Sequence, residues 1–182
     1  MNTIAQSDRL IIRTWISEAD AESAFEIYSD PEVTGFIKTK TTSIEDAIKL
    51  LQRWVTLSTQ LNGGGFWAIV NKETQEILGT IILIPLRDEA EQWTQDYEIG
   101  WHLKKSAWGN GYATEAAKAI LEYGFNILKL PTIYSIARPD NTASIRVMQR
   151  LGMTPIGRTS KYYKMELEMF KLVAADWMHS IR

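Results

Sequence analysis

The run Trp108-Gly109-Asn110-Gly111-Tyr112-Ala113-Thr114-Glu115 places two glycines one residue apart, at the head of the strongest helical period in the chain. Glycine admits backbone conformations closed to other residues and lets a ligand approach the main chain closely. The first turn of a helix also offers N–H groups without intrahelical partners, so such a turn can hold a phosphate. A tight turn that only needs positive φ would leave the same trace. A Walker loop would end in Gly-Lys-Ser/Thr, which is missing, and a dinucleotide fingerprint would need a third glycine where Thr114 stands. Upstream, the segment Tyr97–Leu103 has the composition of a strand, with Glu98, Gly100 and His102 on one face and Tyr97, Ile99, Trp101 and Leu103 on the other. A carboxylate beside a glycine leaves room for a bound molecule and can do acid–base work; it can equally be a solvated charge on a half-exposed strand. His102 shares that face, either as a second acid–base group or as a surface or hydrogen-bonded core histidine.

These groups need a frame. Leu10–Arg13 suits a strand, and Ser17 with Asp20 suits a capped helix start whose apolar face is Ala21, Ala24, Phe25 and Tyr28. Asp30-Pro31 ends that helix, because the residue before proline avoids helical geometry. Thr42 with Glu45 predicts a second capped helix with the stripe Ala47, Ile48, Leu51, Trp54, Val55, broken by Asn62-Gly63-Gly64-Gly65. Strands are predicted at Phe66–Val70, Ile77–Pro85 and Tyr97–Leu103. The polar stretch Arg87–Asp96, with Asp88, Glu89, Glu91 and Asp96, is expected to be an exposed loop that either only solubilises a hairpin or attracts a cationic amine. The period Ala113, Ala116, Ala117, Ile120, Leu121, Gly124, Leu128 predicts the longest helix, and Ile133–Arg138 a further strand. Asn141 can cap a short helix running to Leu151 and closed by Gly152, with Ser144 one turn in. Strands at Met153–Gly157 and Lys164–Leu172 and a short C-terminal helix complete an α+β, or mixed α/β, chain of one domain over residues 1–182.

Composition narrows the chemistry. Twenty basic against 22 acidic side chains give a net charge of −2, without the basic excess of a dedicated nucleic-acid binder. The chain has no cysteine and two histidines, His102 and His179, which excludes a thiolate nucleophile and argues against a metal centre. No segment reaches the roughly 18–20 apolar residues of a membrane span. Asp8 and Arg9 fall where a secretory signal would be apolar, so a cytoplasmic location is expected.

The glycine run resembles the pyrophosphate-binding loop of the GNAT superfamily of acyl-CoA-dependent N-acetyltransferases, and most of all the branch that acetylates N-terminal amines of ribosomal proteins. Asp8-Arg9-Leu10-Ile11-Ile12-Arg13, Ser29-Asp30-Pro31-Glu32-Val33, Gly79-Thr80-Ile81, Glu98-Ile99-Gly100-Trp101 and Pro139-Asp140-Asn141-Thr142-Ala143-Ser144 with Leu151-Gly152 resemble that branch in order and spacing. The resemblance implies a twisted mixed sheet of about seven strands with helices on both faces. It also implies acetyl-CoA as co-substrate, no metal, and a primary amine as acceptor. The expected acceptor is a protein or peptide N-terminus, with a small amine, or a non-catalytic acyl-CoA-binding regulatory domain, as alternatives. A monomer or homodimer would serve.

Acetyl transfer from a thioester needs a neutral amine, a polarised carbonyl and a protonated leaving thiolate. By the resemblance Glu98 deprotonates the amine, and backbone amides around Ile99, Gly100, Trp101, His102 and Leu103 meet the thioester and the pantetheine arm. Those of Trp108, Gly109, Asn110, Gly111, Tyr112, Ala113 and Thr114 meet the pyrophosphate. Asn141 contacts the CoA arm or an ordered water, besides capping its helix. Two positions depart from the superfamily: Ser106 where glutamine or arginine is usual, and Met148 where a tyrosine often acts as general acid. The loss of that tyrosine suits Ser144 as donor to the thiolate, a role given to a serine here in the resembled branch. Arg146, Arg150, Lys104 and Lys105 could reach CoA phosphates or remain solvated charges, and Trp101 and Trp108 could line the site.

Overall fold

The computed structural model describes residues 2–180. Among them eight strands form one sheet: β1 Thr3–Gln6, β2 Leu10–Thr14, β3 Gly65–Asn71, β4 Ile77–Arg87, β5 Trp93–Leu103, β6 Thr132–Ala137, β7 Thr154–Thr159 and β8 Leu167–Val173. Their order across the sheet is β1-β2-β3-β4-β5-β6-β8-β7, and every neighbouring pair is antiparallel except β5 and β6. The helices are α1 Ala21–Ser29, α2 Pro31–Thr34, α3 Ile44–Ser58, α4 Tyr112–Asn126, α5 Thr142–Arg150 and α6 Ala174–Ser180. The mixed α/β sheet is as expected, with one strand more. The short edge strand β1 was missed because its half-exposed residues carry too little apolar pattern to announce it.

Alternation along β3 divides the core. Trp67 and Ile69 join Ile120, Leu121 and Phe125 under α4, while Ala68 and Val70 join Ala24, Tyr28, Leu51 and Trp54 under α1 and α3. The central strand β4 is buried on both faces from Ile77 to Leu86, and its sequence there is apolar but for Thr80. Gly79 lies here because a Cβ at that position would stand 2.1 Å from the carbonyl oxygen of His102.

Three local expectations shift. Ser17 does not cap α1; Asp20 holds the N-cap position, and its carboxylate is turned to the buried Arg13 instead, with Nη1–Oδ2 2.6 Å and Nη2–Oδ1 2.9 Å. Removing either partner would strand a buried charge at a cost of about 3–5 kcal/mol. α3 is capped by Ser43, which accepts from the Asp46 N–H, and Thr42 instead donates its hydroxyl to the Asp46 carboxylate. The stretch Arg87–Asp96 is half strand: residues 88–92 turn, and the Asp88 carboxylate accepts the N–H groups of Ala90 and Gln92, both at 2.9 Å.

Candidate active site

β5 and β6 run side by side but pair only at Tyr97↔Ile133 and Glu98↔Tyr134, although both strands continue. Beyond Glu98 they diverge and leave a gap in the middle of the sheet. The register shows which backbone groups face it. Pro85, which has no N–H, sits opposite Tyr97, so Tyr97 bonds toward β6; by alternation Ile99, Trp101 and Leu103 turn the same way, and Gly100 and His102 turn toward β4. The Leu103 carbonyl is taken by the Trp108 indole N–H at 2.8 Å. Of the amides expected to serve the thioester, those of Trp101 and Leu103 therefore point into the gap.

A cavity of about 720 Å³ opens on this gap. Glu98, Gly100 and His102 line it from one face of β5, as alternation predicts, and Trp101 lines it from the other. Access to both faces of one strand is possible only where that strand lacks a neighbour. Ile99 and Leu103 point into the core under α4, so only their backbone can take part. Asn141, Ser144 and Met148 come to the same cavity from the start of α5. The Asn141 Oδ1 accepts the Ser144 N–H at 3.2 Å, which makes it the helix cap, and the Ser144 hydroxyl has no protein hydrogen-bond partner among the described residues.

Glu98 is 6 % exposed. Burial pushes its carboxyl up to about 7, against the opposing pull of the Tyr163 hydroxyl, which donates to its Oε1. Tyr163 lies in the connection between β7 and β8, where it and Lys164 both have φ of 56°, a left-handed conformation unusual for two successive non-glycine residues. Tyr163 was not expected in the site: it is 65 residues from Glu98, and nothing in its local pattern signals the contact. His102 Nδ1 lies 3.2 Å from the Tyr28 hydroxyl, which is 2.5 Å from Thr80 Oγ1. Its enclosure holds the ring below the usual histidine value, so it adds no positive charge beside Glu98 at neutral pH.

The glycine turn follows β5 through a short 3₁₀ segment, Lys105–Ala107, and does not line the cavity. Gly109 and Gly111 have φ of 75° and 79°, and a side chain at Gly109 would meet no protein atom within 4 Å. Among the described residues none of the backbone N–H groups from Gly109 to Thr114 has a protein acceptor. The Thr114 hydroxyl is buried without a partner. An anion is the ligand this arrangement suits. The turn is held from behind by Arg9, which donates to the Asn110 carbonyl (3.1 Å) and to Glu115 (2.7 Å), with its guanidinium over the Tyr112 ring. Glu115 is thus a brace between α4 and the N-terminal strands. Lys104 pairs with Glu76 and Lys105 with Glu32, so neither is a free phosphate ligand; Arg146 and Arg150 are exposed on α5. Among the described residues no cluster of three or more His, Asp or Glu side chains could hold a metal, and no helix is long and apolar enough to cross a membrane.

The family model described as the acetyltransferase (GNAT) domain matches residues 9–154. The protein named uncharacterised N-acetyltransferase YoaA of Bacillus subtilis (strain 168) is 33 % identical over 163 residues, 89 % of each chain. The crystal structure of a GNAT-family acetyltransferase from Bacillus anthracis superposes with a TM-score of 0.78 at 25 % identity, covering 94 % of this chain and 98 % of that one. RimL, the ribosomal L7/L12 alpha-N-protein acetyltransferase in complex with coenzyme A, shares the fold at TM-score 0.77 and 17 % identity, covering 94 % and 98 %. A sheet opened beyond a buried glutamate, an anion-ready glycine turn and a domain match over four-fifths of the sequence lead to one conclusion: the chain belongs to the GNAT family and is an acetyl-CoA-dependent N-acetyltransferase.

Proposed function

We propose that the chain moves the acetyl group of acetyl-CoA onto the terminal amine of a protein or peptide, with Glu98 as general base and Ser144 as general acid. The observation that carries this reading is Glu98: a buried carboxylate with a pKa of about 7, at the point where the sheet opens into a cavity. At that pKa it is about half ionised at neutral pH and strong enough to take a proton from an attacking amine. The pyrophosphate rests on the amides of Gly109–Thr114, and the pantetheine arm lies along the free edge of β5 like an added strand. The amine nitrogen attacks the thioester carbon while Glu98 takes its proton; charge on the carbonyl oxygen is met by the Trp101 or Leu103 N–H. As the C–S bond breaks, the unpartnered Ser144 hydroxyl protonates the sulfur, in the space where buried Met148 cannot, and regains a proton from solvent as Glu98 returns its own to it.

Support for an N-terminus as acceptor comes from the cavity mouth. Phe36, Trp93 and Met165 are 43 %, 39 % and 36 % exposed and face it, an apolar rim that a chain continuing out of the site would cover. RimL, which shares the fold, is named for acting on such an amine. The test is a thiol-release screen of N-terminal peptides against amino sugars, polyamines and amino acids. Peptides should be acetylated with the highest kcat/KM; a small amine that outperforms every peptide would replace this acceptor.

A further inference from the structure

We propose that the acceptor carries a carboxylate or phosphate close to its amine, and that Lys40 and Arg53 read that anion. This rests on the reading that an amine is acetylated at Glu98. The cavity lining holds five cationic side chains, Lys38, Lys40, Arg53, Arg87 and Arg138, against two carboxylates, Glu91 and Glu98. The acidic hairpin that could have drawn a cationic amine is largely spent internally, and its exposed Glu89 does not line the cavity. Asp88 binds backbone N–H groups of its own turn, Asp96 accepts from the Tyr162 hydroxyl at 2.9 Å, and Glu91 faces Arg87 at 3.8 Å. A polycation would thus find no free carboxylate in the cavity lining beyond Glu98 itself.

The five cations are not equivalent. Arg87 is fixed over the Trp93 ring at 4.0 Å, and Arg138 is held by Asp140 at 2.7 Å and by the Gly35 carbonyl at 3.2 Å. Lys38 reaches a backbone carbonyl, that of Tyr163, at 3.4 Å. Lys40 and Arg53 have no ion pair or hydrogen bond to protein among the described residues, yet both face the cavity, one from the segment after α2 and one from α3. Unpaired cations beside a concave site raise the local concentration of an anionic ligand and orient it. The glycine turn, where the phosphates of CoA are placed, lies outside this cavity, which leaves the acceptor as the anion to be met.

The experiment uses three peptides with a common first residue and Glu, Gln or Lys at the second and third positions, plus phenylalanine against its amide, all followed by thiol release. The acidic peptide should have a higher kcat/KM than its neutral and basic counterparts, and phenylalanine a higher one than its amide, with an advantage that narrows as salt screens the rim. In Lys40→Ala/Arg53→Ala the acidic-over-neutral ratio should fall roughly 3–20-fold, as expected for two exposed charge contacts. Equal use of the acidic, neutral and basic acceptors by the unmodified enzyme would overturn the proposal. So would a double variant in which the ratio is unmoved, or in which KM for acetyl-CoA rises instead, since the two side chains would then read the cofactor's phosphates. If no amine of any charge is acetylated while acetyl-CoA binds, the acceptor reading itself fails and takes this proposal with it.

Discussion

Replacing Tyr163 by phenylalanine removes one hydroxyl from Glu98 and leaves the ring. That hydroxyl is the group that holds the glutamate's pKa down against burial, so its loss must move the pKa up. A hydrogen bond to an ionised group contributes about 1.5–3 kcal/mol and one to a neutral group about 0.5–1.5. The difference, about 1–1.5 kcal/mol, corresponds to roughly one pKa unit. The carboxyl should therefore titrate near 8 instead of about 7. At pH 7 its ionised fraction would drop from about one half to about one tenth, so kcat/KM should fall about five-fold and recover fully above roughly pH 9. Carbon-13 NMR of the Glu98 carboxyl gives the midpoint directly. A rate profile with a weakly basic amine, neutral throughout, gives the same limb without the acceptor's own titration. An unchanged midpoint in Tyr163→Phe would refute the assigned hydrogen bond; a shifted midpoint with an unshifted rate limb would remove Glu98 from proton transfer.

Glu98→Gln should lower transfer by roughly 10²–10⁴-fold, with the loss shrinking as rising pH frees the amine. The same change should alter stability with the opposite sign. The folded chain holds Glu98 at about 7 and an open chain near 4.5, so the fold favours the protonated form, and stability present below pH 4.5 is lost as pH rises toward 7. Thermal melts of Glu98→Gln should thus show a gain of up to about 3 kcal/mol at pH 8 and little at pH 4. Ser144→Ala should reduce kcat without recovery at high pH and leave CoA binding near normal, since the Asn141 cap uses the Ser144 backbone and not its hydroxyl; normal turnover would leave water as the acid. Gly111→Val should lose CoA affinity in a protein shown by its melt to remain folded, because a Cβ there meets only Arg9 Nη2, at 3.7 Å, inside the molecule. The melt itself should drop by the roughly 1–2 kcal/mol of left-handed strain, and unchanged CoA affinity would place the pyrophosphate elsewhere.

What could be read along the chain was local. The two glycines of the turn, the alternation that sets Glu98 on one face of β5 and the Asn141 cap with Ser144 one turn in all depend on residues within a few positions of one another. Periodicity and backbone chemistry act at that range. Even there tertiary demand moved two boundaries: Asp20 left its capping role for the buried Arg13, and α3 took Ser43 as its cap. The rest came from distant segments. The gap exists because two strands joined by α4 stop pairing after Glu98, a matter of sheet twist and register that neither strand encodes alone. Tyr163 reaches Glu98 from a strained turn 65 residues away, Glu115 braces α4 against Arg9, 106 residues upstream, and three of the four carboxylates of the acidic hairpin, suited on paper to draw a cation, are taken by its own turn and by its neighbours. Composition counts those charges as balanced; folding sorts them, giving Asp88, Glu91 and Asp96 partners within the fold and leaving Lys40 and Arg53 unpaired at the cavity. The residues proposed to react were thus legible from their immediate neighbours, whereas the pKa of Glu98 and the charge of its surroundings depend on burial and on which distant side chains meet, and those are properties of the packed chain alone.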